Sequence, residues 1–163
     1  MIPNLINQFR IEGKIAVVTG ASRGIGEGIA IGLADAGATV IITARDQERL
    51  EGVASTISER GGTCSVVTGD ITDESTISQL VSHAMDKYGK LDILVCNAAS
   101  NPYYGNLADI PDQSFDKIMN NNVKSNLWLS KAAIPFLKKS NRGSIIIVSS
   151  IAGLQGVKNL GAY

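Results

Sequence analysis

Short runs of consecutive apolar residues alternate with longer amphipathic stretches along the whole chain. Lys14-Ile15-Ala16-Val17-Val18, Thr39-Val40-Ile41-Ile42-Thr43, Cys64-Ser65-Val66-Val67, Leu91-Asp92-Ile93-Leu94-Val95-Cys96 and Gly143-Ser144-Ile145-Ile146-Ile147-Val148-Ser149 are β-branched and mostly continuous in their hydrophobicity. Such runs predict strands buried on both faces. Between the first two, Ile25, Ile29 and Leu33 recur every fourth position and would line one helix face. Asp46 can cap a helix reaching about Arg60, closed by Gly61-Gly62, and Asp73 a helix reaching about Tyr88, stopped by Gly89. After a loop with Pro102 and Gly105, one long helix is expected from about Asp112 to Lys139. Repeated strand–helix units imply an α/β fold, a doubly wound parallel sheet covered on both faces. Ligands of such sheets bind beyond the carboxyl ends of the strands. A polar or glycine position stands at each such end: Gly20, Arg45, Asp70, Asn97 and Ser150.

The first strand runs into Thr19-Gly20-Ala21-Ser22-Arg23-Gly24-Ile25-Gly26 and a helical pattern runs out of it. Glycines at 20, 24 and 26 allow positive φ and leave no side chain between the backbone and an anion, toward which the next helix aims its unpaired N–H groups. The stretch reads as a phosphate cradle. No Lys-Ser or Lys-Thr follows Gly26, which argues against a Walker-type loop.

Composition narrows the setting. With 163 residues, 44% of them hydrophobic, residues 1–163 fit a single globular domain that can bury a sizeable core. Fifteen basic residues balance fifteen acidic ones, so no charge excess marks a nucleic-acid or anionic-membrane partner. No window reaches the 18 or so apolar residues of a membrane helix. Met1 to Glu12 lacks the apolar core of a signal peptide and reads as a lead-in to the first strand. Cys64 and Cys96 read as reduced, buried thiols of a cytoplasmic protein, with no metal site implied, and His83 as a surface residue.

The spacing Thr-Gly-x-x-x-Gly-x-Gly resembles the cofactor loop of the short-chain dehydrogenase/reductase (SDR) family. That resemblance implies a Rossmann-type sheet with strand order 3-2-1-4-5, here without the last strands of the family's seven. It implies that Gly20, Ser22, Arg23, Gly24, Ile25 and Gly26 contact a nicotinamide dinucleotide. Arg45 with Arg23 resembles the NADP-preferring pattern, where two guanidiniums suit a phosphate dianion and NAD is the lesser expectation. Read without the resemblance, Arg45 is a solvated helix-start residue and Asp46 a cap. By resemblance Asp70 accepts from the adenine amino group, with Ile71 beside it; on its own, Asp70 reads equally as a turn residue. Cys96-Asn97-Ala98-Ala99 stands where the family has Asn-Asn-Ala-Gly, so Asn97, Ala98 and Ala99 would lie beside the adenosine ribose.

Asn120-Asn121-Asn122 lies inside the expected long helix, where asparagine is a poor helix former. Asn120 and Asn121 suit a polar outer face. Asn122-Val123 matches the family's asparagine, which interrupts regular helical bonding and holds a water in a proton relay. Ser150 and Tyr163, 13 residues apart, match the active-site serine and tyrosine. A carbonyl reductase needs a donor to polarise the carbonyl and an acid to protonate the alkoxide; Ser150 supplies the first and Tyr163 the second. Bringing a phenol near neutrality takes roughly 4 kcal/mol of favourable field. The family provides it with a lysine four residues after the tyrosine, and the sequence stops at Tyr163.

The expectation is therefore the N-terminal part of a longer, homo-oligomeric oxidoreductase that interconverts a small carbonyl and an alcohol. One side of the fifth strand would lie open. Asn101-Pro102-Tyr103-Tyr104-Gly105 resembles the loop of broad carbonyl reductases, and its tyrosines border a substrate or cover the sheet. Phe115, Trp128 and Phe136 are expected in the core or at subunit contacts. The rivals are a nucleotide-binding protein without turnover and a flavodoxin-like domain with strand order 2-1-3-4-5.

Overall fold

The β-branched runs pair as five parallel strands in a computed structural model that describes residues 8–140 and 142–163. The strands are β1 (Ile15–Thr19), β2 (Thr39–Ala44), β3 (Thr63–Thr68), β4 (Ile93–Cys96) and β5 (Ser144–Ile147), in the order β3-β2-β1-β4-β5. This is the Rossmann-type order and excludes the flavodoxin-like rival. Between the strands run α1 (Gly24–Asp35), α2 (Gln47–Glu59), α3 (Glu74–Tyr88), α4 (Asp112–Met119) and α5 (Ser125–Leu137). Asp46 and Asp73 cap α2 and α3 by accepting from Arg49 N and Ser75 N, and Gly89 ends α3 with φ +72°.

Both faces of the sheet are packed over β1–β4, because these strands present apolar residues in both directions. Ala16, Val18, Val40 and Ile42 pack with Ala30, Leu50 and Ile57 of α1 and α2. Val17, Ile41 and Leu94 pack with Leu80, Leu129 and Ala133 of α3 and α5. Trp128 and Phe136 lie partly buried against this second core, whereas Phe115 is exposed. The expected gap beside β5 is present: Ile145, Ile146 and Ile147 are 36%, 46% and 57% exposed on an edge strand.

Several expectations need correction. The buried face of α1 is Gly26, Ala30 and Ala34, not Ile25, Ile29 and Leu33. Small residues let the helix approach the sheet closely; Ile29 and Leu33 flank it and Ile25 is 69% exposed. The long helix is not continuous: α4 and α5 are separated by a π-helical turn at Asn120–Lys124. His83 is not a free surface residue. Its Nε2 lies 2.9 Å from Ser65 Oγ, which also accepts from the Tyr88 hydroxyl at 3.2 Å, so α3 is clasped to β3. Cys96 is buried but Cys64 only partly, and both are free thiols pushed up to about pKa 11 by burial. Of the lead-in to β1, residues 1–7 lie outside the described residues, and Ile11 N and Gly13 N bond to Ala36 O and Gly37 O. Among the described residues no helix is long and apolar enough to cross a membrane.

Candidate active site

The site is built from the carboxyl end of β1. Thr19 is fully buried, and its hydroxyl donates to Val95 O at 3.3 Å while accepting from Asn97 N at 3.0 Å and Ala98 N at 3.1 Å. One side chain thus ties the end of β1 to the loop leaving β4. Asn97 returns the contact, its Nδ2 donating to Thr19 O at 2.9 Å and Gly20 O at 3.3 Å. Gly20 (φ +64°) and Gly24 (φ +60°) occupy the left-handed region that the turn requires. Gly26 does not; a Cβ there would strike Gly20 O and stand 2.5 Å from Asn97 Nδ2. Its absence of a side chain serves close approach rather than φ.

Above this turn opens a cleft of about 770 Å³. Gly20, Ser22, Arg23, Ile25, Arg45, Asp70, Ile71, Asn97, Ala98, Ala99 and Tyr163 all line it. Its floor draws on every strand end, from Gly69 after β3 to Val148 after β5. Four inter-strand spacings amount to roughly 19 Å, a span suited to an extended dinucleotide. Gly24, Gly26, Asn122 and Ser150 do not line the cleft. At its β2–β3 end Arg45 Nη1 stands 3.9 Å from Asp70 Oδ2. Burial raises the Asp70 pKa, but hydrogen bonds from Thr72 N and Oγ1 and the charges of Arg45 and Lys117 outweigh it and hold the carboxyl below its ordinary range.

The π turn explains the asparagine run. Asn122 Oδ1 accepts from Ser100 N at 2.8 Å and its Nδ2 donates to Ser100 O at 3.0 Å, a two-point grip on the loop after β4. Asn121, expected on a polar outer face, instead donates to Ser100 Oγ at 2.8 Å and lines the cleft; Asn120 is exposed. The Asn122 carbonyl accepts from Asn126 Nδ2 at 2.8 Å. At the β5 end, Ser149 lines the cleft, whereas Ser150 caps a 3₁₀ turn, its Oγ accepting from Ala152 N at 3.2 Å.

The sequence profile of the short chain dehydrogenase family matches residues 14–163. The chain belongs to the short-chain dehydrogenase family. It is 37% identical over 153 residues to dehydrogenase/reductase SDR family member 4 of Sus scrofa, covering 94% of this chain and 55% of that protein. The chain thus spans little more than half the length of that curated relative. Among solved structures it resembles a 7α-hydroxysteroid dehydrogenase complexed with NADH and 7-oxo glycochenodeoxycholic acid, with a TM-score of 0.90 and 34% identity over 96% of this chain and 61% of that one. A metagenomic short-chain oxidoreductase in complex with NADP gives a TM-score of 0.87 and 36% identity over 93% of this chain and 69% of that one.

The cleft includes residues that sequence reasoning does not assign to it. Asp46 is legible in the sequence only as a helix cap, Ser149 only as a lesser match than Ser150 to the family's serine, and Arg49 carries no motif of its own, yet all three line the cleft. For Arg49 the usable signal is position, one turn after the end of β2. The residues present fit a nicotinamide dinucleotide: a glycine turn that a Cβ would obstruct, a span across five strand ends, and guanidiniums beside the end of β2. Among the described residues no cluster of three metal-ligating side chains occurs.

Proposed function

We propose that this chain forms the cofactor-binding portion of an NADP(H)-dependent oxidoreductase that interconverts a small carbonyl and its alcohol. The observation that carries the reading is the single cleft wall joining the Gly20 turn, the Arg45 end of β2 and Tyr163. Arg23 and Arg45 favour NADP over NAD, because a 2′-phosphate dianion is best held by guanidinium forks. When bound, the dinucleotide supplies or accepts the hydride. Asn97 and Thr19 hold the β1 and β4 loops together beneath it. Ser150, at the neck of the loop after β5, polarises the substrate oxygen, and Tyr163 gives or takes the proton at its phenolic oxygen. Asn122 fixes the loop at Ser100 and, as in the family's relay, would hold a water. The full-length parent is a homo-oligomer, a reading supported by the exposed Val123 and Leu127.

Titration of the purified chain with NADPH and NADH tests the cofactor reading, and NADPH consumption with a panel of ketones tests the chemistry. The expected result is saturable binding, tighter for NADPH, with little turnover by this chain and ready turnover by a full-length parent. Failure to bind either dinucleotide would overturn the proposal. Binding without turnover in the parent would instead favour a nucleotide-binding protein.

A further inference from the structure

Three arginines line the cleft on its β1–β2 side: Arg23 from the glycine turn, Arg45 at the end of β2 and Arg49 in the first turn of α2. Two carboxylates stand among them. Asp70 is in loose contact with Arg45 at 3.9 Å, and that arginine side chain is 72% exposed. Asp46 is held more closely. Its Oδ1 accepts from Arg49 N at 3.1 Å and its Oδ2 lies 3.1 Å from Arg49 Nε. The same carboxylate therefore caps α2 and fixes the guanidinium one turn along. A guanidinium has five donors, and Nε is only one of them. The two Nη groups of Arg49 remain for a ligand in the cleft that the residue lines.

We infer that Arg49 is the third guanidinium of a subsite for the cofactor's 2′-phosphate. The inference rests on the NADP reading and assigns to it a residue outside the Arg23–Arg45 pair. Charge balance supports it. Among the side chains that line the cleft, three cations accompany two carboxylates, an excess of one positive charge to which Lys117 adds from beside Asp70, for a group carrying about −1.5 to −2. Without Arg49 the lining itself carries no excess, and the Asp46 carboxylate, having lost its ion-pair partner, would meet a phosphate there with a like charge. The pre-formed Asp46–Nε contact also means that Arg49 loses little side-chain freedom when a phosphate arrives, unlike the more exposed Arg45.

Calorimetric titration of the chain with adenosine 2′,5′-bisphosphate and with AMP tests this, since the two ligands differ only in bearing or lacking the 2′-phosphate. The wild-type chain should prefer the bisphosphate. Arg49→Gln should weaken the bisphosphate about tenfold, the order of one charge-assisted contact, while changing AMP less than twofold. Arg49→Lys, which keeps the charge but loses the fork, should fall between. Circular dichroism of each variant checks that α2 is intact. If Arg49→Gln leaves both affinities unchanged, or lowers both equally, Arg49 is only the surface partner of Asp46 and the inference fails while the NADP reading stands. If the wild-type chain shows no preference for the bisphosphate, both fall together.

Discussion

Single atoms decide the cofactor turn. Gly24 and Gly26 stand two residues apart in the same motif, yet the structure asks different things of them. At Gly24, φ is +60° and nothing lies within 4 Å of where a Cβ would stand, so Gly24→Ala should cost only the left-handed backbone penalty, about 1–2 kcal/mol. At Gly26 a Cβ would collide with the Gly20 carbonyl, backbone that cannot swing aside. Gly26→Ala should therefore cost about 1–3 kcal/mol as an overpacked contact and should abolish dinucleotide binding, whereas Gly24→Ala retains measurable binding. Urea denaturation and NADPH titration of the two variants separate these outcomes. Thr19 makes the same point in polar terms. A threonine at the end of an apolar run gives no sign in the sequence that its hydroxyl satisfies two backbone N–H groups of another loop.

The elements are joined at the far end of the sheet by one acid. Asp92 is 2% exposed and precedes β4 directly; its Oδ2 accepts from Ile15 N at 2.9 Å, and its Oδ1 meets Lys14 Nζ at 3.0 Å and Ser140 Oγ at 2.5 Å. Burial alone would raise its pKa. The bonds from Ser140, Ile15 and Lys14 prevail and lower it to about 2. A carboxylate with a depressed folded-state pKa stabilises the fold above its unfolded value of 3.8, and that stability is lost as pH falls toward 2. The loss should be about 2 kcal/mol, and Asp92→Asn should remove much of the acid-limb slope while lowering stability at pH 7. Denaturation midpoints between pH 6 and pH 2.5 give the comparison. His83 behaves in the same sense in its own range. Burial and Lys87 depress its pKa despite the opposing charge of Asp86, so the α3–β3 clasp weakens as pH falls below 6.5. At this scale the strands are legible in the sequence, because continuous β-branched runs have few other uses. The helix faces are less so. Periodicity marks Ile25, Ile29 and Leu33 but cannot reveal that contact with a tightly packed sheet selects Gly26, Ala30 and Ala34. His83 reads as a surface residue because its partner, Ser65, is 18 residues away in sequence.

For the molecule as a whole, the order β3-β2-β1-β4-β5 leaves two edges, and they are finished differently. β3 is joined to α3 by the Ser65 cluster, whereas β5 presents three exposed isoleucines along an unpaired backbone edge. Such an edge is a template for pairing with another chain. Ile146→Lys should reduce concentration-dependent association of the chain, measured by light scattering, without lowering its melting temperature by more than a degree or two, since the position is 46% exposed. The apolar run announces the strand but not that its surface stays open; that follows only from the resemblance to a longer sheet. The asparagine run is similarly half legible: its poor helix propensity signals a break, and only the fold supplies Ser100 as the reason. The wide turn at Asn120–Lys124 has one more consequence. A π turn amounts to a surplus residue threaded into an otherwise regular helix, so shortening this stretch by one position would let α4 and α5 fuse into an uninterrupted rod. The shortened protein should resist heat better, by the order of one backbone bond or about 1 kcal/mol, and yet let go of Ser100. Regularity and grip are in direct competition there, and the native chain has settled for grip.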